Sequence, residues 1–216
     1  MSVIYHKFEQ QSLEWFAFKV GKLSQSELKR CVNPSDASLK SKDVVMKQVS
    51  KIIAEIITGF SQDSDYQSDA MEWGNEYEEE ALEPYSSYKR KCGIIQNTDF
   101  KYFVLSPDLV TFDKLGFEAK CPDSDTHINY ILADRLPLEH KVQVNCYYIA
   151  DPSIQKMHFI SYDPRCVKSS TNDIICDRFK IDVEKDYRYL DNLGASILMI
   201  EDMITNGLDK LMKIHN

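Results

Sequence analysis

A chain of 216 residues, 43% hydrophobic and 11% aromatic, can bury a substantial core, which excludes a disordered protein and predicts one domain over 1–216. Its net charge of −8 disfavours nonspecific coating of nucleic acid, and no apolar run reaches the length that crosses a bilayer. The six cysteines, at 31, 92, 121, 146, 166 and 176, form no Cys-x-x-Cys pair. Zinc and iron–sulfur centres therefore fit poorly, and reduced, partly buried thiols are expected. Met1 to Gln10 lacks the apolar core of a signal peptide, so the protein is expected to stay in the compartment where it is made.

Glu9 to Cys31 reads as helix in two pieces, anchored in the core by Trp15, Phe16 and Phe18 and broken at Gly21-Lys22. Asn33-Pro34-Ser35 is a turn. Asp43 to Thr58 is a helix whose Val45, Val49, Ile52, Ile53 and Ile56 follow the 3.6-residue period, with Gly59 as its stop. Ser61 to Ser68 reads as a polar loop. The next helix, Asp69 to Glu83, ends at Pro84. Its stripe of Met71, Gly74/Asn75, Glu78, Leu82 and Tyr85 carries one carboxylate, Glu78, on an otherwise apolar face. Such a group is costly to bury unless it is paired or bound to a metal. Residues 61–83 hold nine acidic and no basic residues, whereas 1–60 hold nine basic against six acidic. Segregated charge of this kind leaves room for a local basic groove.

Strands are expected at Ile94–Gln96, Lys101–Leu105, Leu109–Phe112 and Gly116–Cys121. The last two form a hairpin through Asp113-Lys114-Leu115. Alternation along that second strand points Glu118 and Lys120 to one side and Phe117, Ala119 and Cys121 to the core. The hairpin returns Asp108, of Ser106-Pro107-Asp108, toward Glu118. Two carboxylates can grip a hard divalent cation, and an ammonium beside them can orient water. The Glu-x-Lys pattern occurs three times, at Glu27–Lys29, Glu118–Lys120 and Glu139–Lys141. Only the middle copy has a strand reading with an aspartate a hairpin away; a solvated hairpin is the competing explanation.

Leu138 to Ile149 reads as a helix with Val142, Cys146 and Ile149 inward. Gln143 lies at the edge of that stripe, where a cleft residue and a surface glutamine are equally compatible. Lys156 to Ser161 is a strand closed by Tyr162-Asp163-Pro164. Val183 to Leu190 and Ala195 to Ile214 are expected as two helices, the second with Leu198, Met199, Met203, Leu208, Leu211 and Met212 as its apolar surface. Helices around a small mixed sheet, α/β or α+β, is the expected architecture.

In this order the motifs resemble those of the viral recombination exonucleases related to bacteriophage lambda exonuclease, within the PD-(D/E)XK nuclease superfamily. Trp15 with Lys19-Val20-Gly21 and Ser26 is similar to the family's opening element, and Trp73-Gly74-Asn75-Glu76-Tyr77-Glu78 to its Trp-Gly helix. Ser106-Pro107-Asp108 with Glu118-Ala119-Lys120-Cys121-Pro122 is similar to its catalytic core. Gln143-Val144-Asn145 and Tyr162-Asp163-Pro164-Arg165 are similar to two later landmarks. The resemblance implies a 5′→3′ exonuclease that digests one strand of linear duplex DNA with two Mg²⁺ ions (Mn²⁺ substituting) and leaves 3′ overhangs for viral recombination. It implies that Asp108 bridges the metals, Glu118 and the Ala119 carbonyl complete one site, and Glu78 completes the other. Lys120 then positions the attacking water, with Gln143 in support. Lys19, Ser26 and Ser106 fall where the family holds the terminal 5′ phosphate, and Met71 where it wedges the end base pair. A homotrimer around DNA, a single-strand annealing partner and a place in the host cytoplasm are further implications. Lys19 replaces an arginine, losing a bidentate phosphate fork, and Asp123-Ser124-Asp125-Thr126-His127 lacks an arginine carried there in the family. Another PD-(D/E)XK nuclease, or a silent DNA-end-binding module, would share much of this pattern.

Overall fold

The computed structural model describes residues 2–62, 69–167 and 175–214. A four-stranded sheet of β5 (Leu109–Val110), β6 (Leu115–Lys120), β7 (Lys156–Tyr162) and β8 (Arg178–Val183) forms its centre, in that spatial order. The β5–β6 and β7–β8 pairs are antiparallel, and β6–β7 is parallel. A parallel pair needs a long crossover, here supplied by α5 (Ser124–Ala133), a short 3₁₀ turn (Leu138–His140) and α6 (Lys141–Ala150). The expected mixed α/β class is the one observed.

The hairpin forms as its turn residues dictate. Thr111 N–H donates to the Leu115 carbonyl at 2.9 Å, and Lys114 takes a positive φ of 66° at the tip. Strand pairing is shorter than expected, stopping at Val110 because the next residues already turn. A Cβ on Gly116 would run into Met157 of β7 and the Tyr147 ring of α6, so glycine lets both elements approach the hairpin closely.

The N-terminal half wraps this sheet. β1 (Val3–His6) pairs antiparallel with β3 (Ile94–Asn97), and β2 (Leu23–Ser24) pairs parallel with β4 (Phe103–Val104). The two expected helical pieces are α1 (Leu13–Lys19) and α2 (Gln25–Cys31), with β2 at the break. None of Trp15, Phe16 and Phe18 is a core anchor: α1 buries no residue, and Phe16 is 54% exposed. The helix is only seven residues long and lies on the surface, where Trp15 uses its indole N–H on Gly93 O and Ser106 Oγ, both at 3.1 Å.

In α3 (Lys42–Thr58), Val45, Val49 and Ile52 are buried as expected, but Ile56 is exposed and Glu55 is buried in its place. The Glu55 carboxylate earns that position by accepting the Gly21 and Gln62 amides, each at 3.0 Å. The loop expected at Ser61–Ser68 lies mostly outside the described residues. α4 (Asp69–Leu82) leads into a 3₁₀ segment (Glu83–Tyr88) with Pro84 in its first turn.

The C-terminal region corrects the sequence reading most. Val183 ends strand β8, and α7 runs unbroken from Tyr187 to Ile214. The core-facing stripe is Leu193, Ile197, Ile200 and Ile204, whereas Leu198, Met199, Leu211 and Met212 are exposed. That stripe follows the helical period, and of the expected apolar surface Met203 and Leu208 do pack against the core. Glu201 joins the stripe by accepting the amides of Lys101, Tyr102 and Phe103 at 3.0, 2.6 and 3.0 Å, which satisfies both the carboxylate and a buried bend of backbone. All six cysteines are free, and Cys31 and Cys146 are buried.

Candidate active site

Asp108 enters β5 from Ser106-Pro107 and is held from both ends. Its amide donates at 2.8 Å to the hydroxyl of Tyr147, which in turn donates at 2.9 Å to the Phe117 carbonyl on β6. Its Oδ2 accepts the Ala119 amide at 2.8 Å. The fully buried Tyr147 thus pins the two arms of the hairpin together from α6. Two residues along β6 from each other, Glu118 and Lys120 meet on one side, as the alternation requires. Lys120 Nζ lies 2.7 Å from Glu118 Oε1, 2.8 Å from the Ala119 carbonyl oxygen and 3.9 Å from Asp108 Oδ2.

Ala119 and Lys120 border a cleft of about 510 Å³. One wall is α4, contributing Met71, Gly74, Asn75 and Glu78; the floor is Ala119 to Pro122; the far wall is Tyr130, His140 and Gln143. The structure therefore gathers Glu78, Ala119, Lys120, Gln143 and Met71 around one space, with Asp108 and Glu118 against Lys120. Met71 is 54% exposed at the rim.

Electrostatically the cluster is short of positive charge. Burial and then the Glu118 carboxylate raise Asp108 well above the ordinary carboxylate range. Burial raises Glu78 as well, and Glu118 adds to it. Burial alone would lower the Lys120 ammonium, but Glu118 and Asp108 outweigh it and hold the group protonated. The Glu118 side chain is 1% exposed, and its Oε2 is buried without a hydrogen-bond partner. An oxygen of a buried carboxylate left bare is costly, and a divalent cation satisfies that demand with the hard oxygen donors present. Among the described residues no three His, Cys, Asp or Glu side chains already converge as a metal cage; the Lys120 ammonium lies against those oxygens.

Of the other expected site residues, Lys19 and Ser106 meet through Trp15, whereas Ser26 contacts Ser24. Lys19 Nζ stands 3.8 Å above the Trp15 ring, whose N–H donates to Ser106 Oγ. Gln25, at the start of α2, clasps Ser106 through both its carbonyl (2.6 Å) and its amide (3.1 Å). Ser26 follows Gln25 and touches Ser24 Oγ at 3.0 Å.

Several contributors escaped the sequence reading. Tyr147 is one, since nothing local marks a core tyrosine as the brace of a residue 39 positions away. Lys29 is another: it donates to Gln143 Oε1 at 3.2 Å across 114 residues. The stretch expected as a loop at Asp123–His127 begins α5, with Asp123 as its cap. Behind it Asp163 accepts from Ser124 at 2.6 Å and Arg165 at 2.7 Å, and Arg165 reaches the Pro122 carbonyl at 3.4 Å. Burial opposes the Asp163 charge, yet those bonds hold its carboxyl down at about 2. The Tyr-Asp-Pro-Arg sequence thus fastens the turn that follows Lys120.

The fold and site define a mixed α/β protein with a carboxylate–lysine cleft at one end of its sheet. Residues 14–150 match the YqaJ-like viral recombinase domain, and the chain belongs to that family. Every expected site residue falls inside that span. No curated protein matches the sequence. In structure the chain is similar to the alkaline exonuclease LHK-Exo from Laribacter hongkongensis, solved alone and in complex with dAMP. Each has a TM-score of 0.70 and 24% identity, covering 94% of this chain and 100% of the other. A phage-related exonuclease from Haemophilus somnus 129PT is also similar, with a TM-score of 0.59, 15% identity and coverage of 88% and 96%.

Proposed function

We propose that residues 1–216 act as a single nuclease domain, a 5′→3′ exonuclease that digests one strand of linear duplex DNA and leaves 3′ single strands for viral recombination. The observation that carries this reading is the Asp108–Glu118–Lys120 cluster, carboxylate-rich, with a bare buried Glu118 oxygen and with Lys120 lining the cleft. Family membership and the exonucleases of similar fold support it. Asp108, Glu118, the Ala119 carbonyl and Glu78 would hold two divalent ions, Mg²⁺ or Mn²⁺, which would supply positive charge to offset that on the attacking and leaving oxygens.

The residues themselves prepare that site. Tyr147 and the Ala119 amide fix Asp108 before substrate arrives, which removes reorganisation from the chemical step. Lys120, beside both carboxylates, orients the attacking water by donating to it. Gln143 supports the far wall. Lys19, Ser26 and Ser106 receive the terminal 5′ phosphate, and Met71 wedges the end base pair. The working form is a closed homotrimer on a duplex end, able to hand its product to a single-strand annealing protein inside the host cell. No helix among the described residues is long and apolar enough to cross a membrane.

The test is digestion of linear and covalently closed circular duplex with Mg²⁺ by the full chain and by Asp108→Asn. The reading expects linear DNA alone to be lost, and only to the wild type. Cleavage of the closed circle, or activity surviving in Asp108→Asn, overturns it.

A further inference from the structure

Beside the catalytic cluster lies a second ammonium whose only acceptor among the described residues is a neutral amide. Lys29 is half-buried on α2, and its Nζ donates to Gln143 Oε1 at 3.2 Å. Among the described residues it forms no ion pair. Gln143, its acceptor, lines the cleft. An ammonium taken partly out of water without a counter-ion is unfavourable. Burial, and after it the Lys120 charge, lower its proton affinity, with the Glu139 and Glu118 carboxylates opposing them in part. The same positive charges, after burial, depress His140 to about 4, so that ring adds no cation at neutral pH.

Position on α2 gives this charge a direction. Ser26 and Lys29 are three residues apart, so they share a face, one helical turn from each other. One end of that face belongs to the Ser26–Gln25–Ser106 region and the other to the Gln143 wall. α2 thus links the expected end-phosphate pocket with the catalytic cleft.

We propose that Lys29 is a substrate-binding residue that holds the scissile phosphate of the DNA strand from the α2–α6 wall, with Gln143 aiming it in the free enzyme. The inference rests on the nuclease reading above. The ammonium exchanges a neutral amide oxygen for an anionic phosphate oxygen, so an ion pair replaces an ion–dipole contact. It also gives Gln143 a defined task, that of positioning Lys29.

The experiment compares wild type with Lys29→Met, which keeps the apolar stem, and Lys29→Arg, which keeps the charge. Affinity for a duplex end is measured in Ca²⁺ across a salt series, and initial rates are measured in Mg²⁺. Loss of one phosphate contact reduces the slope of log affinity against log salt by about 0.9. The expected result for Lys29→Met is that smaller slope and a loss of about ten- to a hundredfold in kcat/KM, with the melting temperature retained and both readouts largely restored by Lys29→Arg. A Lys29→Met protein with the wild-type salt slope overturns the proposal even if its rate falls, because a group that only props Gln143 neutralises no phosphate. A wild type that binds ends but cleaves nothing overturns the exonuclease reading and leaves the Lys29 contact to be judged by the salt slope. A wild type that binds no DNA overturns both.

Discussion

Replacing Tyr147 with phenylalanine removes one oxygen from the fully buried brace behind Asp108. The hydroxyl accepts the Asp108 amide at 2.8 Å and donates to the Phe117 carbonyl at 2.9 Å, so its loss strands one donor and one acceptor. Leaving a buried polar group unsatisfied costs about 1–3 kcal/mol. Relaxation spares part of the two costs, so a net loss of about 2–4 kcal/mol is expected. For a chain of this size each kcal/mol moves the melting temperature by roughly 2–4 °C, and Tyr147→Phe should therefore melt about 4–16 °C lower. Function should fall further than stability explains. With its amide released, Asp108 is tied to β6 through the Ala119 amide and the longer Lys120 contact alone among the described residues, and a misplacement near 1 Å at a reacting centre costs on the order of a hundredfold in rate. Thermal melts and single-turnover rates well below the melting point measure the two effects separately. A Tyr147→Phe protein with wild-type melting and rate would refute the bracing role.

Asp108→Asn, Glu118→Gln and Lys120→Ala should each abolish cleavage while retaining the fold, and Ca²⁺ should support DNA binding without turnover; gel assays and circular dichroism check both. Lys19→Ala should slow digestion of 5′-phosphorylated ends by about one to two orders of magnitude and have little effect on 5′-hydroxyl ends, read as paired initial rates. Asp108 carries a raised carboxyl pKa in the fold, so without metal the folded state binds a proton that the unfolded chain has already released. That stability is present below the ordinary carboxylate pKa of about 4 and is lost as pH rises through the raised folded value. Asp108→Asn keeps an oxygen for the Ala119 amide and removes the charge. In EDTA it should melt above wild type at pH 8, with the gap closing toward pH 4, and an unchanged gap would contradict the assigned strain.

The sequence made the hairpin legible because its signals were local. Thr111 to Gly116 specify the turn, and alternation sets Glu118 beside Lys120. Glu78 was legible for a related reason, as a carboxylate on an apolar helical stripe. Signals failed where a distant partner decides the outcome. Glu55 and Glu201 are charged residues in buried stripes, and the backbone amides that justify them come from other segments. β8 is a case where the local signal is present and the reading passes over it: Phe179, Ile181 and Val183 alternate strictly with Arg178, Lys180 and Asp182. Lys29 sat in a Glu-x-Lys with no strand context, and only the packing of α2 on α6 shows that it reaches the cleft wall.

The most direct test of the central claim is digestion of a linear duplex labelled at the 5′ end of one strand and the 3′ end of the other, with Mg²⁺ and the full chain. The account predicts early release of the 5′ label, retention of the 3′ label on shortened strands, and no release by Asp108→Asn. Early release of the 3′ label, or loss of both labels at equal rates, would contradict it.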